Sequence, residues 1–339
     1  MTGTTRNTPD HNNLQHIGTS GTAEVTAIAI GRNEGERLMR CLRSLLPQVR
    51  RVIYVDSGST DGSAEAAERL GAKVVSLDMS IPFTAARARN AGMAEAEETA
   101  FVQFVDGDCE VEQGWITTAL QALQSDPALG IVAGRRRELH PEASIYNLIC
   151  DAEWNTPVGP ARAVGGDMLA RRMALEAVSG FDPSLIAGEE PEMCLRVARA
   201  GWGIARLDTP MTIHDAAMTR FSQWWRRSRR AGHAFAEVSW RHRRGPEQFW
   251  KTETRRSIFW SGLLLAILLA GLIVSPLCLA ALAIFPLQIA RIALRDPEPQ
   301  HRWARASFTL LGKLPEAVGV LEFHLRRMSG KRAGLIEYK

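Results

Sequence analysis

FVQFVDGDCEVEQGW, residues 101–115, is an apolar run that stops at two aspartates one residue apart, Asp106 and Asp108. Phe101, Val102, Phe104 and Val105 are the β-branched and aromatic types of a central strand, and Gly107 gives the backbone room to turn where the strand ends. A buried strand ending in paired carboxylates suits a divalent cation gripping a diphosphate. Open α/β sheets bind ligands at the carboxyl ends of their strands, and hard oxygen donors favour magnesium or manganese. The tripeptide alone decides little, since Asp and Gly also make ordinary turns. Its meaning depends on what surrounds it.

Upstream, strand and helix patterns alternate. VTAIAI (25–30) reads as a strand, and NEGERLMRCLRSLL (33–46) places Leu38, Cys41, Leu42, Leu45 and Leu46 at helical spacing. VIYVD (52–56) is a second strand, followed by the turn-forming SGSTDGS and a helix closed by Gly71. KVVSL (73–77) and the Ala-rich stretch from Thr84 to Glu98 repeat the alternation. FVQFVD is then about the fourth strand of a mostly parallel, doubly wound sheet with right-handed crossovers. That position turns its carboxylates toward ligand. The second strand also ends in an acid, Asp56, where small residues let backbone amides approach a nucleotide or, equally, cap a helix.

The chain has 339 residues and a net charge of +4, enough for one large or two ordinary domains. The charge is unevenly placed. Eleven Lys or Arg stand between Arg220 and Arg256 against Glu237, Glu247 and Glu253, just before the most apolar segment, which points to an anionic membrane surface rather than nucleic acid. Five scattered cysteines without metal spacing imply a reducing compartment. Residues 1–23 lack an apolar core and read as a disordered tail rather than a signal peptide, with His11 and His16 solvated.

AIGRNEGERLMRCLRSL, VIYVDSGSTDGS, ARNAG, FVQFVDGDCEVEQGW, GGDMLARRMALEAVSGFD and GEEPEMCLRVARAGW follow one another between residues 24 and about 230. In this order they resemble a family 2 glycosyltransferase of the GT-A fold, a Rossmann-like mixed sheet that binds nucleotide-diphosphate sugars. The resemblance implies inverting sugar transfer assisted by Mg2+ or Mn2+. It places Asp56 at the nucleotide base with Arg32 and Glu34 in the same pocket, and Arg89 and Asn90 beside the nucleotide. Asp106 would meet the ribose or the metal, and Asp108 would hold the metal between the phosphates. Many members carry a second acid where Ser57 stands, so base preference does not carry over.

The third acidic group lies in Gly188, Glu189, Glu190, Pro191, Glu192, a loop entering a helix, with Pro191 suited to its first position and Gly201 to its end. The family commonly has Glu-Asp here, the second acid deprotonating the acceptor hydroxyl, so by position Glu190 is the expected base. Neighbouring acids raise its pKa and a helix N-terminus lowers it. Glu189 and Glu192 are adequately explained as helix-start charges, with Glu192 pairing to Arg196. Gly166 and Asp167 are candidates for the acceptor or sugar pocket. His214 is a candidate for the metal or diphosphate, against the commoner structural role of a single histidine. FSQWWRRSRRAG (221–232) resembles the Gln-x-x-Arg-Trp element of processive synthases, with Arg227 where tryptophan would stand. Arg226 and Arg227 could neutralise a leaving diphosphate, or the segment could be an amphipathic helix at lipid headgroups.

Ile258 to Ser275 spans roughly 27 Å at about 1.5 Å per residue, close to a hydrocarbon core of about 30 Å. Pro276 interrupts, and Leu277 to Ala290 follows. Basic residues on both flanks place both ends of a tight two-helix hairpin in the cytoplasm, and Trp303 to Met328 reads as one surface-lying helix. The expected organisation is therefore a tail (1–23), a catalytic domain (24–232), a basic amphipathic linker (233–257), a membrane hairpin (258–294) and an amphipathic tail (295–339). Together these imply a catalytic domain on the cytoplasmic face of the inner membrane, acting on a lipid-linked or envelope glycan. The competing readings are a nucleotidyltransferase, which usually has a denser glycine loop than GRNEGER, and a non-catalytic nucleotide-sugar binder.

Overall fold

The computed structural model describes residues 24–96 and 99–330. The N-terminal tail with His11 and His16 lies outside them. Nine strands form one sheet: β1 (Val25–Gly31), β2 (Arg51–Asp56), β3 (Lys73–Ser76), β4 (Phe101–Asp106), β5 (Cys109–Val111), β6 (Leu129–Glu138), β7 (Gly159–Pro160), β8 (Met168–Arg171) and β9 (Gly203–His214). Their spatial order is β3-β2-β1-β4-β8-β6-β9-β5, with β7 alongside β9. The first four strands of the chain are mutually parallel. β8 then enters antiparallel between β4 and β6, so the sheet is mixed where the alternating pattern alone suggests mostly parallel.

Helices α1 (Glu36–Leu45), α2 (Ser63–Arg69), α3 (Ala85–Ala94), α4 (Trp115–Ser125), α5 (Ile145–Glu153), α6 (Arg172–Glu176) and α7 (Glu189–Arg199) accompany the sheet. The period-two side chains of β4 divide between two cores, as a sheet covered on both faces requires. Phe101 and Val105 pack with Leu38, Leu42 and Trp115 on one side. Val102 and Phe104 pack with Ala88, Phe181 and Met193 on the other. Gln103, fully buried on the same face as Phe101 and Val105, is satisfied because its Oε1 accepts from Trp115 Nε1 at 2.9 Å and its Nε2 donates to Phe104 O at 2.7 Å. The opening stretch is thus tied to its own helix.

The C-terminal third is helical: α8 (Phe221–Arg241), α9 (Lys251–Ile273), α10 (Ile284–Arg295), α11 (Arg302–Leu311) and α12 (Lys313–Met328). Residues 233–241 belong to α8 and 251–257 to α9, so most of the basic segment is helical. Trp224 is buried against Phe308 at 5.0 Å between ring centres, inside the protein rather than at a headgroup layer. The stretch from Trp303 to Met328 is two helices broken at Gly312. α12 lies on α8 and α9, with Val320 and Phe323 buried, a packed helix and not a surface-lying one. Lys251–Ile273 and Pro276–Arg295 are long and apolar enough to cross a membrane, and only 11% and 6% of their apolar windows are buried, unlike core helices. The second candidate begins with a 3-10 stretch, Pro276–Ala283, that leads into α10, and α10 leans on α11 while α9 packs on that stretch and on α12. The two segments meet where Trp260 of α9 and Phe285 of α10 lie edge to face, 5.7 Å between ring centres. All five cysteines are free thiols.

Candidate active site

Parallel register decides where the acids emerge. Ile30 pairs with Asp106 and Gly31 with Asp56, so the carboxyl ends of β2 and β4 flank the end of β1. Below them, Glu190 enters from the first turn of α7. Gly188 precedes that helix with φ 78°, a left-handed conformation open to glycine, and a Cβ there would come within 2.9 Å of Trp250. Pro191 is the third helical residue rather than the first, which its missing N–H still permits because no intrahelical bond is lost in the first turn. A cavity of about 670 Å³ opens between these elements, lined among others by Arg32, Glu34, Arg89, Asp106, Asp108, Glu190, His214, Arg227 and Arg230.

Arg89 is the electrostatic hub. Its side chain is 2% exposed; Nη2 holds Asp106 Oδ1 at 2.9 Å, while Nη1 holds Glu189 Oε1 at 3.1 Å and Glu190 Oε1 at 2.9 Å. Burial alone would push this guanidinium down, but Glu190, Asp106 and Glu189 outweigh it and hold it above its usual range. Glu189, expected to be a helix-start charge, is instead a buried partner of Arg89. Burial, with Glu189 beside it, raises the Glu190 carboxyl to about 7 even though Arg89 opposes the shift. Glu192 pairs with Arg196 at 2.7 Å as its spacing predicts.

The aspartates of the opening motif have different company. Asp106 lies between Arg89 and Arg136, whose Nη2 reaches its Oδ2 at 3.3 Å. Asp108 is 5% exposed, and its Oδ2 stands 3.2 Å from His214 Nε2. The antiparallel pairing of Cys109 with His214 brings that histidine to the acid. On its other side, His214 Nδ1 faces Glu138 Oε2 at 3.5 Å. Burial and Arg136 hold His214 below its ordinary pKa, keeping the imidazole neutral with a lone pair to offer. An oxygen and an imidazole nitrogen at the rim of a polar cavity, with Asp108, Cys109 and His214 donors within 4.8 Å of one another, form a donor set that fits a divalent cation.

Other expected site residues sit elsewhere. Asp56 is buried and does not line the cavity. It accepts from Tyr54 OH at 2.9 Å, Gly58 N at 3.0 Å and Ser59 N at 2.9 Å, and so shapes the loop after β2. That loop is stitched to the one after β1 by Asn33 N on Ser59 Oγ and Thr60 N on Asn33 Oδ1, which fixes the backbone between Arg32 and Glu34. Asn90 clasps the Phe181 backbone through both amide ends, away from the cavity. Asp167, 1% exposed, accepts from Asp106 N at 3.1 Å and Thr212 Oγ1 at 2.7 Å, a brace behind Asp106 instead of a sugar-pocket wall. A Cβ on Gly166 would strike Arg89 Nη2, so this glycine makes room for the hub. Arg227 lines the cavity and pairs with Glu153 at 2.6 Å, whereas Arg226 does not line it. Arg136 and Glu138 were legible only as the end of a strand, GIVAGRRRE, where residues two apart share a face. Arg230 lay within a basic run that offered no register.

Residues 26–160 match the family model described as glycosyl transferase family 2. The pre-mycofactocin glycosyltransferase of Mycobacterium tuberculosis is 29% identical over 232 residues, covering 65% of this chain and 48% of its own length. The chain thus spans about half the length of this curated relative. Glycosyltransferase AglE of Haloferax volcanii is 25% identical over 197 residues, 54% of this chain and 64% of that protein. Among solved structures, the mannosyltransferase PcManGT of Pyrobaculum calidifontis, in complex with GDP-Man and Mn2+, superposes with a TM-score of 0.63 at 21% identity, covering 88% of this chain and 87% of that one. That likeness fixes the fold.

Proposed function

The chain carries a family 2 glycosyltransferase domain of the GT-A fold, and on that premise we propose that it moves a sugar from a nucleotide-diphosphate donor to an acceptor hydroxyl with inversion. One observation carries the reading: the Asp108–His214 pair and Glu190 line one cavity, as a direct displacement needs a diphosphate station and a base on opposite sides of the reacting carbon. Glu190 takes the proton of the acceptor hydroxyl. The acceptor oxygen bonds to the anomeric carbon as the bond from that carbon to the diphosphate oxygen breaks, and the nucleoside diphosphate leaves with the electron pair. A base with a pKa near the working pH suits this transfer.

Asp108 and His214 would hold Mg2+ or Mn2+, which when bound neutralises charge on the diphosphate. Arg227 and Arg230 stand on the same wall and stabilise the departing anion electrostatically. Arg32 and Glu34 face the nucleotide, with Asp56 ordering their loop from behind. Asp106, gripped by two guanidiniums, serves the ribose better than the cation. The two apolar helices favour a site at a membrane, the reading puts the basic residues that flank them on the cytoplasmic side, and the acceptor is lipid-linked. The GDP-mannose in PcManGT makes a nucleotide-diphosphate hexose the first donor to try.

The test is release of nucleoside diphosphate from a panel of nucleotide sugars by the membrane-embedded protein, with and without Mn2+. Asp108→Asn should lower turnover by roughly 10²–10³, the scale of losing one preorganised electrostatic group, and should weaken Mn2+ binding measured directly by electron paramagnetic resonance. Unchanged Mn2+ affinity in this variant would remove Asp108 from the cation site.

A further inference from the structure

A second cavity, of about 310 Å³, lies between the two membrane candidates and the tail helices. Its wall is almost wholly hydrocarbon: Trp260 and Leu264 from α9, Phe285 and Ile289 from α10, and Leu310 and Leu314 from the tail helices. The charged exception is Lys313. Its Nζ pairs with Glu316 Oε2 at 2.6 Å, and Glu316 lines the large cavity together with Arg227 and Arg230. One ion pair therefore partitions the apolar slot from the transfer site. Ser257 donates to Glu316 at 2.5 Å and Ser261 to Lys313 O at 2.8 Å, so α9 holds the partition from successive turns.

The surroundings select the occupant. The same two segments leave Leu272 and Leu287 83% and 68% exposed, apolar faces that hydrocarbon would cover. A protein helix, about 10 Å across with its side chains, needs a wider seat than this, whereas a flexible aliphatic chain fits. The cation at the inner end, with arginines beyond it, complements an anionic head. We propose that the slot holds the hydrocarbon chain of a long-chain lipid phosphate, and that the glycan carried beyond the phosphate passes the Lys313–Glu316 pair and brings its acceptor hydroxyl to Glu190. The lipid phosphate is thus the anchor of the acceptor, a step that rests on reading the large cavity as the transfer site.

The experiment uses the full chain in phosphatidylcholine vesicles doped with a polyprenyl phosphate carrying a photoactivatable chain terminus, or with the matching uncharged polyprenol. Adducts are mapped by mass spectrometry without donor or metal. With the phosphate probe, adducts should concentrate on Leu264, Phe285 and Leu314 over the outward Leu272 and Leu287. Leu264→Trp should cut slot adducts roughly tenfold, the scale of a misfit in an apolar pocket, with the outward positions as internal standard. Lys313→Gln should lower labelling by the phosphate but not the polyprenol, and Lys313→Arg should restore it. Adducts spread evenly around α9 and α10 and indifferent to Leu264→Trp would overturn the slot, and equal labelling by both probes would overturn the anionic head. Slot labelling without sugar transfer to any lipid-phosphate-linked glycan would count against the transfer reading alone. Transfer to soluble acceptors without slot labelling would count against the slot alone.

Discussion

Arg89→Met is expected to destabilise the catalytic domain by about 3–5 kcal/mol, the cost of breaking a buried ion-pair network from one side. The guanidinium is the common partner of Asp106, Glu189 and Glu190, and methionine fills its volume without its charge. Three carboxylates would then face one another in a poorly solvated space. Arg89→Lys should fall between the variant and the parent, since a single ammonium cannot reproduce a fork that holds Asp106 on one nitrogen and both glutamates on the other. The pH dependence has a definite sign. In the methionine variant the folded state takes up protons to relieve the repulsion, and near neutrality the unfolded state does not hold them, so the deficit against the parent shrinks as pH falls. Urea midpoints across the mildly acid to neutral range measure it. A methionine variant within about 1 kcal/mol of the parent, the typical effect of an ordinary substitution, would show that Arg89 is not the hub.

Glu190→Gln should lower kcat by roughly 10²–10⁴, the contribution of a positioned general base, while leaving nucleoside diphosphate binding close to the parent's because the amide keeps the shape of the wall. In the parent, kcat/KM should rise with pH through an ascending limb near the carboxyl's value of about 7, since only the ionised form accepts the proton. The limb should vanish in the glutamine variant. Stability moves the other way. A carboxyl raised from 4.5 to about 7 in the folded protein contributes stability that is fully present below its unfolded pKa and lost as pH rises through the folded one. At alkaline pH the glutamine variant should therefore be no less stable than the parent, which separates lost chemistry from lost fold. An unchanged rate with the ascending limb intact would move the base elsewhere.

Much of this was legible along the chain. The Ile/Val/Phe runs ending in Asp56 and Asp106 gave both strands and the sheet edge they share, because strand period and strand ends are local properties. The Glu190 position followed from a helix start, and the interruption at Pro276 from a missing N–H. The errors were also physical. A charged residue at a helix start is normally solvated, so Glu189 read as surface charge, and nothing in its neighbours announces that Arg89, 100 residues earlier, is buried against it. Tryptophans beside arginines fit a headgroup layer equally well until Phe308 is found edge to face with a buried Trp224. Asn90 holds the Phe181 backbone, and Asp167 accepts from Asp106 N and Thr212 Oγ1, contacts between residues far apart in the chain that leave no local pattern.

The sequence by itself determined the first four strands, which segments are apolar enough for a membrane, and the acids that end the second and fourth strands, since each depends on side-chain pattern within a short window. Tertiary structure alone decided how those acids are shared. The register of β5 against β9 gave Asp108 to His214, β6 beside β9 put Glu138 behind that histidine, and the landing of α7 on α3 gave Asp106, Glu189 and Glu190 one common cation. Charges separated widely along the chain acquire a common low-dielectric space only when the sheet closes over them, and their strength as base, brace or ligand is set there.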